Sequence, residues 1–465
     1  MAGEKMPNAR LAAVMAEAGV SNKGLAARVR ELAAADGRSM TPDHTSVTRW
    51  LKGTIPNDPA PKYIAKALSI KLGRRVSLAD IGFESASADA EVDVIEDGAQ
   101  YQQDALASVA LLEKLTGSDL DDQGAVLHAD WNRSASSNAI TGYLFGQSLE
   151  ATFSTISPSA GSPLAVAIRS TAAQLMDLDF RFGGGHTRKL LLFYFKSEVA
   201  PQLKLNHPEG VRREIFSAAA EVVQLLGWTA YDAGRHGAAQ RYFMQALRLA
   251  READDHMLGG RLLGNLSHQA NYLGKFSDAV QFARAAQTAT FGKATNTVVA
   301  NFLAMEARAL ASSGQQLECV KILNRAEQFF EQRVPEDDPD WIGYFNAEEL
   351  AGEAAHCFRD LRRPEETRLF ATKAIEPTNT PPRTMAFINM VMASGALTAG
   401  NLDEAVSLAV TAVDLAGPLQ SKRYVRYLTD FSDDLAVAHE KDPLTVSFNA
   451  RVKLYYPTID LVKRG

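Results

Sequence analysis

The sequence predicts an all-α chain: a small N-terminal domain of short helices, a helical connector, and a stack of helical hairpins filling most of the second half. Three observations carry this expectation. One short pattern of turn and small residues returns five times between residues 219 and 416. Residues 1–83 hold thirteen Lys or Arg against seven Asp or Glu, a local +6 in a chain of formal net charge −6, which leaves −12 for the remainder. A length of 465 residues also exceeds what one hydrophobic core organises, so several domains are expected.

In chain order, Asn8 to Ala18 reads as a first helix with Leu11, Val14 and Met15 inward, ended by Gly19 just past its C-cap. Ser21 caps a second helix whose apolar stripe is Leu25, Ala26, Val29 and Leu32, and Gly37 breaks it. Thr41 is expected as N-cap and Pro42 as first-turn residue of a short third helix, Asp43 to Leu51, that buries Val47, Trp50 and Leu51. A loop with Gly53, Pro56, Pro59 and Pro61 leads to a fourth helix holding Ile64, Ala67, Leu68 and Leu72. The second and third helices make a helix-turn-helix arrangement, and segregation of positive charge into this end points it at a polyanion.

The stretch Gly19-Val-Ser-Asn-Lys-Gly-Leu-Ala, followed by Thr45-Ser-Val-Thr-Arg-Trp-Leu-Lys-Gly and Pro56, resembles the Cro/phage-repressor type of DNA-binding domain. The resemblance implies that Asn22 and Lys23 meet phosphate and that the third helix enters the major groove. Its outward residues are His44, Thr45, Thr48 and Arg49, with Lys52 just beyond. The connection from Glu31 to Met40 is longer than that family's. Arg74 and Arg75 follow Gly73 at the end of the fourth helix, where they favour the helix dipole and are candidate phosphate contacts.

Residues 84–104 carry seven acids and no base, the composition of a solvated linker. The connector, residues 105–218, is helical but not repetitive. Leu106, Val109, Leu112 and Leu115 give one apolar face ended by Gly117; Ser118 to Asp122 and Ser134 to Asn138 read as turns around Trp131. Thr141 to Phe153 suits a short helix or a strand, and Ala165 to Met176 a helix. Gly183 to Gly185 lack the spacing of a phosphate-binding loop, and Arg188 and Lys189 fall inside the following helix, so a tight turn between helices is expected. This segment, between a repressor-type head and repeats, is similar to that of actinobacterial (Streptomyces-type) transcriptional regulators.

In the repeats, turns at Gly234, Gly274, Gly314 and Gly400, and a weaker one with Arg362 at the glycine position, are each followed by the same helical face. Phe243 and Ala246 belong to the first; Ala283 and Ala286 to the second; Cys319, Leu323 and Ala326 to the third. Thr367, Ala371 and Ala374 follow Arg362, and Ala405, Ala409 and Ala412 follow Gly400. The turns are 40, 40, 48 and 38 residues apart. The pattern resembles tetratricopeptide repeats, whose unit is about 34 residues. The resemblance implies a stack of hairpins whose first helices line a concave side. In this register the groove-facing residues are Trp228, Tyr231, Arg261, His268, Asn271, Asn301, Arg308, Glu349, His356 and Arg359. They form either a merely solvated inner face or a groove that grips a peptide, small-molecule or protein effector, with amides on its backbone and Arg and His on its carboxylates. Residues 417–465 are expected to supply one or two capping helices and a tail, in which Leu444 to Tyr455 suits a strand or an extended arm.

No metalloprotease, nucleophile-elbow or phosphate-loop signature occurs, and the nine histidines show no ligand spacing with the two cysteines. No enzyme activity, catalytic residue, metal or cofactor is therefore expected, and Cys319 and Cys357 read as buried thiols. The absence of an 18-residue apolar run and of a leader pattern suggests no membrane span and a cytoplasmic protein. The sequence thus leads to a DNA-binding transcriptional regulator acting on double-stranded DNA as a homodimer. Its repeats would sense a ligand or protein, in development or antibiotic production by resemblance. The alternative is an interaction scaffold that does not bind DNA.

Overall fold

Two units emerge from the packing of the chain, residues 1–93 and 94–465. The computed structural model describes residues 7–35, 40–57, 59–72, 76, 78, 80–83, 98–102, 104–120, 129–146, 162–182, 184–417, 419 and 421–459. Among these the chain is all-α, and in the second unit helix pairs stack as in a helical solenoid.

The first unit holds α1 (Ala9–Glu17), α2 (Asn22–Ala35), α3 (His44–Leu51) and α4 (Ala60–Leu72). Asn8 starts α1 twice over: its Oδ1 accepts from the Leu11 amide at 2.9 Å and its Nδ2 donates to the Ile81 carbonyl at 2.7 Å. Gly19 takes φ +60 at the end of α1, the left-handed conformation that favours glycine. Leu11, Leu25, Val29, Val47, Ile64, Leu68 and Ile81 make the core, with Trp50 against it. The start of α3 differs from expectation. Asp43, not Thr41, is its N-cap, with Pro42 outside the helix. The Asp43 carboxylate accepts from the amide and hydroxyl of Ser46, both at 2.8 Å, while Ser46 Oγ accepts from the Asp43 amide at 3.4 Å, a reciprocal box Thr41 could not close. Arg30 donates to the Pro42 carbonyl at 2.6 Å and ties that entry to α2. Leu51, expected inside, is half-buried.

The second unit begins with α5 (Ala105–Leu120), α6 (Arg133–Phe145), α7 (Pro163–Phe182) and α8 (Gly184–Tyr194), the last extended by a π-helical turn (Phe195–Val199) and an α-turn (Ala200–Leu203). Gly117 does not end α5. The helix continues because Asp119 is buried and engaged: Tyr242 donates to it at 2.8 Å, and Arg188 and Arg235 pair with it. Ser134 to Asn138 are helical rather than a turn, since Asn132 caps α6 through the Ala135 amide. The helix-or-strand alternative resolves to helix as far as Phe145; residues 147–153 lie outside the described ones. So do Gly37, residues 84–97, Gly183 and the side chains of residues 181–186 around it.

The hairpins are α9 (Glu209–Asp232) with α10 (His236–Glu252), α11 (His256–Tyr272) with α12 (Phe276–Ala289), and α13 (Asn296–Ser312) with α14 (Gln316–Glu331). They continue as α15 (Ala347–Asp360) with α16 (Pro364–Lys373) and α17 (Pro382–Thr398) with α18 (Leu402–Ala416). The boundary expected at 218/219 falls inside α9. Gly234, Gly274, Gly314 and Gly400 have φ between +72 and +80, and Arg362 has φ +54 at the equivalent turn, so the geometry demanded there outweighs the residue type. The small-residue face after every turn is buried, from Phe243 and Ala246 through Cys319 and Thr367 to Ala412. The longer 48-residue spacing is taken up between α14 and α15, where 3₁₀ turns Pro335–Asp337 and Asp340–Ile342 carry Trp341 and lead to Tyr344 and Phe345.

The tail forms a further hairpin, α19 (Lys422–His439) and α20 (Pro443–Tyr455). Leu444 to Tyr455 is thus neither a strand nor an extended arm. Phe448 and Val452, one helical turn apart, are buried while Val446 is exposed, which is a helical and not an alternating pattern. No helix among the described residues is long and apolar enough to cross a membrane.

Candidate functional site

Two surfaces gather the residues singled out by the sequence. In the first unit, the reciprocal box at Asp43 fixes the start of α3, and burial of Val47 and Trp50 fixes its rotation. His44, Thr45 and Arg49 are then exposed, Thr48 is half-buried, and Lys52 is exposed at the C-cap. Asn22 and Lys23 open α2 beside this face, and Asn22 Nδ2 donates to Thr48 Oγ1 at 3.1 Å. The threonine hydroxyls are already engaged: Thr45 donates to Asp43 at 2.8 Å and Thr48 to the His44 carbonyl at 2.9 Å. Thr45 and Ser46 together hold the Asp43 carboxyl far below its ordinary range. Arg49 reaches Ser46 Oγ only at 3.3 Å, so its guanidinium retains donors for an outside acceptor. Arg74 and Arg75 lie outside the described residues.

The second surface is the inner face of the solenoid's first helices. Counting back from each turn, equivalent positions stack in rows: Glu221, Arg261, Asn301 and Glu349 in one, and Trp228, His268, Arg308 and His356 in the next. The expected groove residues are thus brought together, but most meet partners within the chain. Trp228 stacks on Tyr231 at 5.5 Å, and the Tyr231 hydroxyl lies 3.1 Å from Nδ1 of His268. Arg308 pairs with Glu353 at 2.7 Å and Arg359 with Asp360 at 2.6 Å. The Asn301 amide reaches the Tyr344 hydroxyl at 3.4 Å, and the Arg261 guanidinium lies 4.8 Å from the Trp341 ring. Asn271 is half-buried with an unpartnered Oδ1. Burial, reinforced by nearby Arg308, keeps His268 and His356 neutral by pushing both well below the ordinary imidazole range. Burial together with Glu353 pushes Glu349 up to about 7.

A set of residues expected only to form a capping helix lies across this face. Arg423, at the start of α19, pairs with Asp232 at 2.8 Å and sits over the rings of Trp228 and Tyr231 at 5.4 and 5.2 Å. Ser421 donates to Asp232 at 2.8 Å, and Arg383 approaches the same carboxylate at 3.3 Å. One turn on, Arg426 donates to the Tyr272 carbonyl at 2.5 Å, and the Tyr427 hydroxyl lies 3.3 Å from Nδ1 of His356. The last hairpin therefore reaches the first, second and fourth. The signal available was Arg423, Arg426 and Tyr427 at helical spacing, which a capping helix has no need to carry.

Residues 11–84 match the family model described as the SP15 N-terminal domain, which covers the helices of the first unit. No curated protein matches the chain.

Proposed function

We propose that the chain is a helical-repeat interaction protein carried to duplex DNA by its N-terminal unit. The repeat part of the reading rests on stacked helix pairs, which offer extended surfaces. The DNA part rests on one observation: α3 is locked by its cap and by Trp50, yet leaves His44, Arg49 and Lys52 exposed along one edge. An exposed guanidinium on a short rigid helix suits the O6/N7 edge of guanine. In this reading the first unit is a repressor-type helix-turn-helix, the repeats are tetratricopeptide-like, and two copies pair on a two-fold site, because one small head reads too few base pairs for useful affinity. It agrees with the resemblance to Streptomyces-type regulators.

The test is anisotropy of the full chain on random and selected duplexes across a salt series. The expected result is binding that weakens steeply with salt and a tighter, sequence-dependent complex on a selected site. A chain that binds no duplex even at low salt is the plain interaction scaffold, a reading that the stacked helix pairs support by themselves.

A further inference from the structure

The inner face is not uniformly closed. Contacts from α19 fall on the C-terminal halves of the first helices, at Trp228, Tyr231, Asp232, Tyr272, His356 and Arg359. The row about two to three turns earlier, with Arg261 and Asn301, meets the inserted segment between α14 and α15 instead. That segment is the departure from the 40-residue spacing, and it delivers two aromatic residues. Trp341 stacks under the Arg261 guanidinium, and Tyr344, 52 % exposed, offers its hydroxyl beside the Asn301 amide.

The polar groups here are donors short of acceptors. Among the described residues Arg261 makes no ion pair or hydrogen bond, unlike Arg308, Arg359 and Arg423 on the same face. Asn265, one turn from Arg261 on α11 and 8 % exposed, has an Nδ2 without a partner, and Arg308 has an unpartnered Nε on the neighbouring helix α13. A buried donor left unpaired costs about 1–3 kcal/mol, so the Asn265 Nδ2 beside Arg261 is an incentive to bind an acceptor. Glu349 stands in the same row as Arg261 and Asn301, on α15, with Glu353 one turn on, and Glu221 acts on Arg261 from α9, so a dianion such as phosphate would be repelled, whereas one negative charge shared between guanidinium and amides is accommodated.

We propose that the Arg261–Trp341 corner is a binding site for a monocarboxylate attached to an apolar or aromatic body. The carboxylate meets the free edge of Arg261 and the amide donors of Asn265 and Asn301, while the body lies against Tyr344 and Trp341. The stack on Trp341 holds the guanidinium plane, so little ordering remains to be done when the ligand arrives. A free organic acid and a peptide C-terminus share this chemistry. The proposal rests on the repeats being a binding surface and is independent of DNA binding, which the duplex titration reads separately.

The test is calorimetric titration of the full chain with 3-phenylpropionate and its neutral amide, and with acetyl-Ala-Ala-Phe bearing a free or an amidated C-terminus. At least one carboxylate should saturate, with its amide weaker by about tenfold or more. Preference for the small acid or for the peptide identifies the source, and either supports the site. Arg261→Gln should weaken the carboxylate about tenfold or more, whereas Arg325→Gln, exposed on α14, should not. Should Arg261→Gln fail to fold, the carboxylate-to-amide ratio of the unaltered chain and the variant Trp341→Leu decide. The proposal is overturned if neither carboxylate saturates by about 10 mM, if the amides bind equally well, or if folded Arg261→Gln binds like the unaltered chain.

Discussion

The outer edge of α3 and the inner face of the solenoid use the same residue types, Arg, His and polar amides or hydroxyls, to opposite effect. On α3 the long basic side chains stand exposed, Arg49 touching Ser46 Oγ only at 3.3 Å, while the short hydroxyls of Thr45 and Thr48 are engaged by neighbouring groups. On the solenoid three long cations are consumed, Arg308 by Glu353, Arg359 by Asp360 and Arg423 by Asp232, and Arg261 is the exception. The difference lies in what the chain does afterwards. Among the described residues of the first unit the outer edge of α3 stays exposed, whereas the last hairpin of the second unit returns to its first. A residue's type and register tell where it points; whether it remains available depends on partners far away in sequence.

The largest expected effect breaks the engaged side of this contrast. Asp232→Ala leaves Arg383 and Arg423 buried without their carboxylate and should cost about 3–5 kcal/mol, read by chemical denaturation of the full chain. The same site predicts an acid dependence. Burial pushes the Asp232 carboxyl up, but Arg423, Arg383 and Ser421 outweigh it and hold it below its ordinary 3.8. Its contribution is therefore fully present above that ordinary value and lost as pH falls through the depressed folded one. Denaturation midpoints measured down the acid limb should fall less steeply in Asp232→Ala than in the unaltered chain; parallel curves would remove Asp232 from the account.

The open side is sharpened by Arg49→Ala, which should cost about 1–3 kcal/mol on a selected duplex and much less on random DNA, by anisotropy at one salt concentration. Equal losses on both duplexes would reduce Arg49 to a phosphate contact. The smallest effect concerns the backbone. A non-glycine residue in the left-handed region costs about 1–2 kcal/mol, partly offset by the extra unfolded freedom of glycine. Arg362→Gly, at φ +54, should accordingly stabilise the chain by under about 1 kcal/mol, and a calorimetric melt with no upward shift would contradict it.

The all-α class was readable because helical periodicity is local. The small-residue face after each turn is a property of twelve or so consecutive residues, and even Arg362 was recognisable from Thr367, Ala371 and Ala374 alone. The errors share a cause. Gly117 reads as a stop until Asp119 is seen between Arg188 and Tyr242, residues 69 and 123 positions away. Thr41 is as good a cap by composition as Asp43, and only the reciprocal bond with Ser46 decides between them. Leu444 to Tyr455 alternates well enough to pass for a strand until Phe448 meets Phe431. Helical register could name inner-face positions, but their ties to α19 could not be read, since Asp232 and Arg423 stand 191 residues apart.

The bond between Asp232 and Arg423 changes what kind of polymer the repeats are. An open array of hairpins behaves like a one-dimensional chain, melting inward from its ends because terminal units have one neighbour instead of two. Joining the last hairpin to the first gives the last unit a second neighbour and adds a further one to the first, which α7 and α8 already cover. Fraying at either end then breaks that junction, so partial unfolding carries a cost that an open array does not impose. Amide exchange should then report nearly uniform protection from α9 to α19, where an open solenoid would show a gradient falling toward both ends. A cut within residues 417–421 would restore that gradient and be felt first at Asp232, on the far side of the sequence.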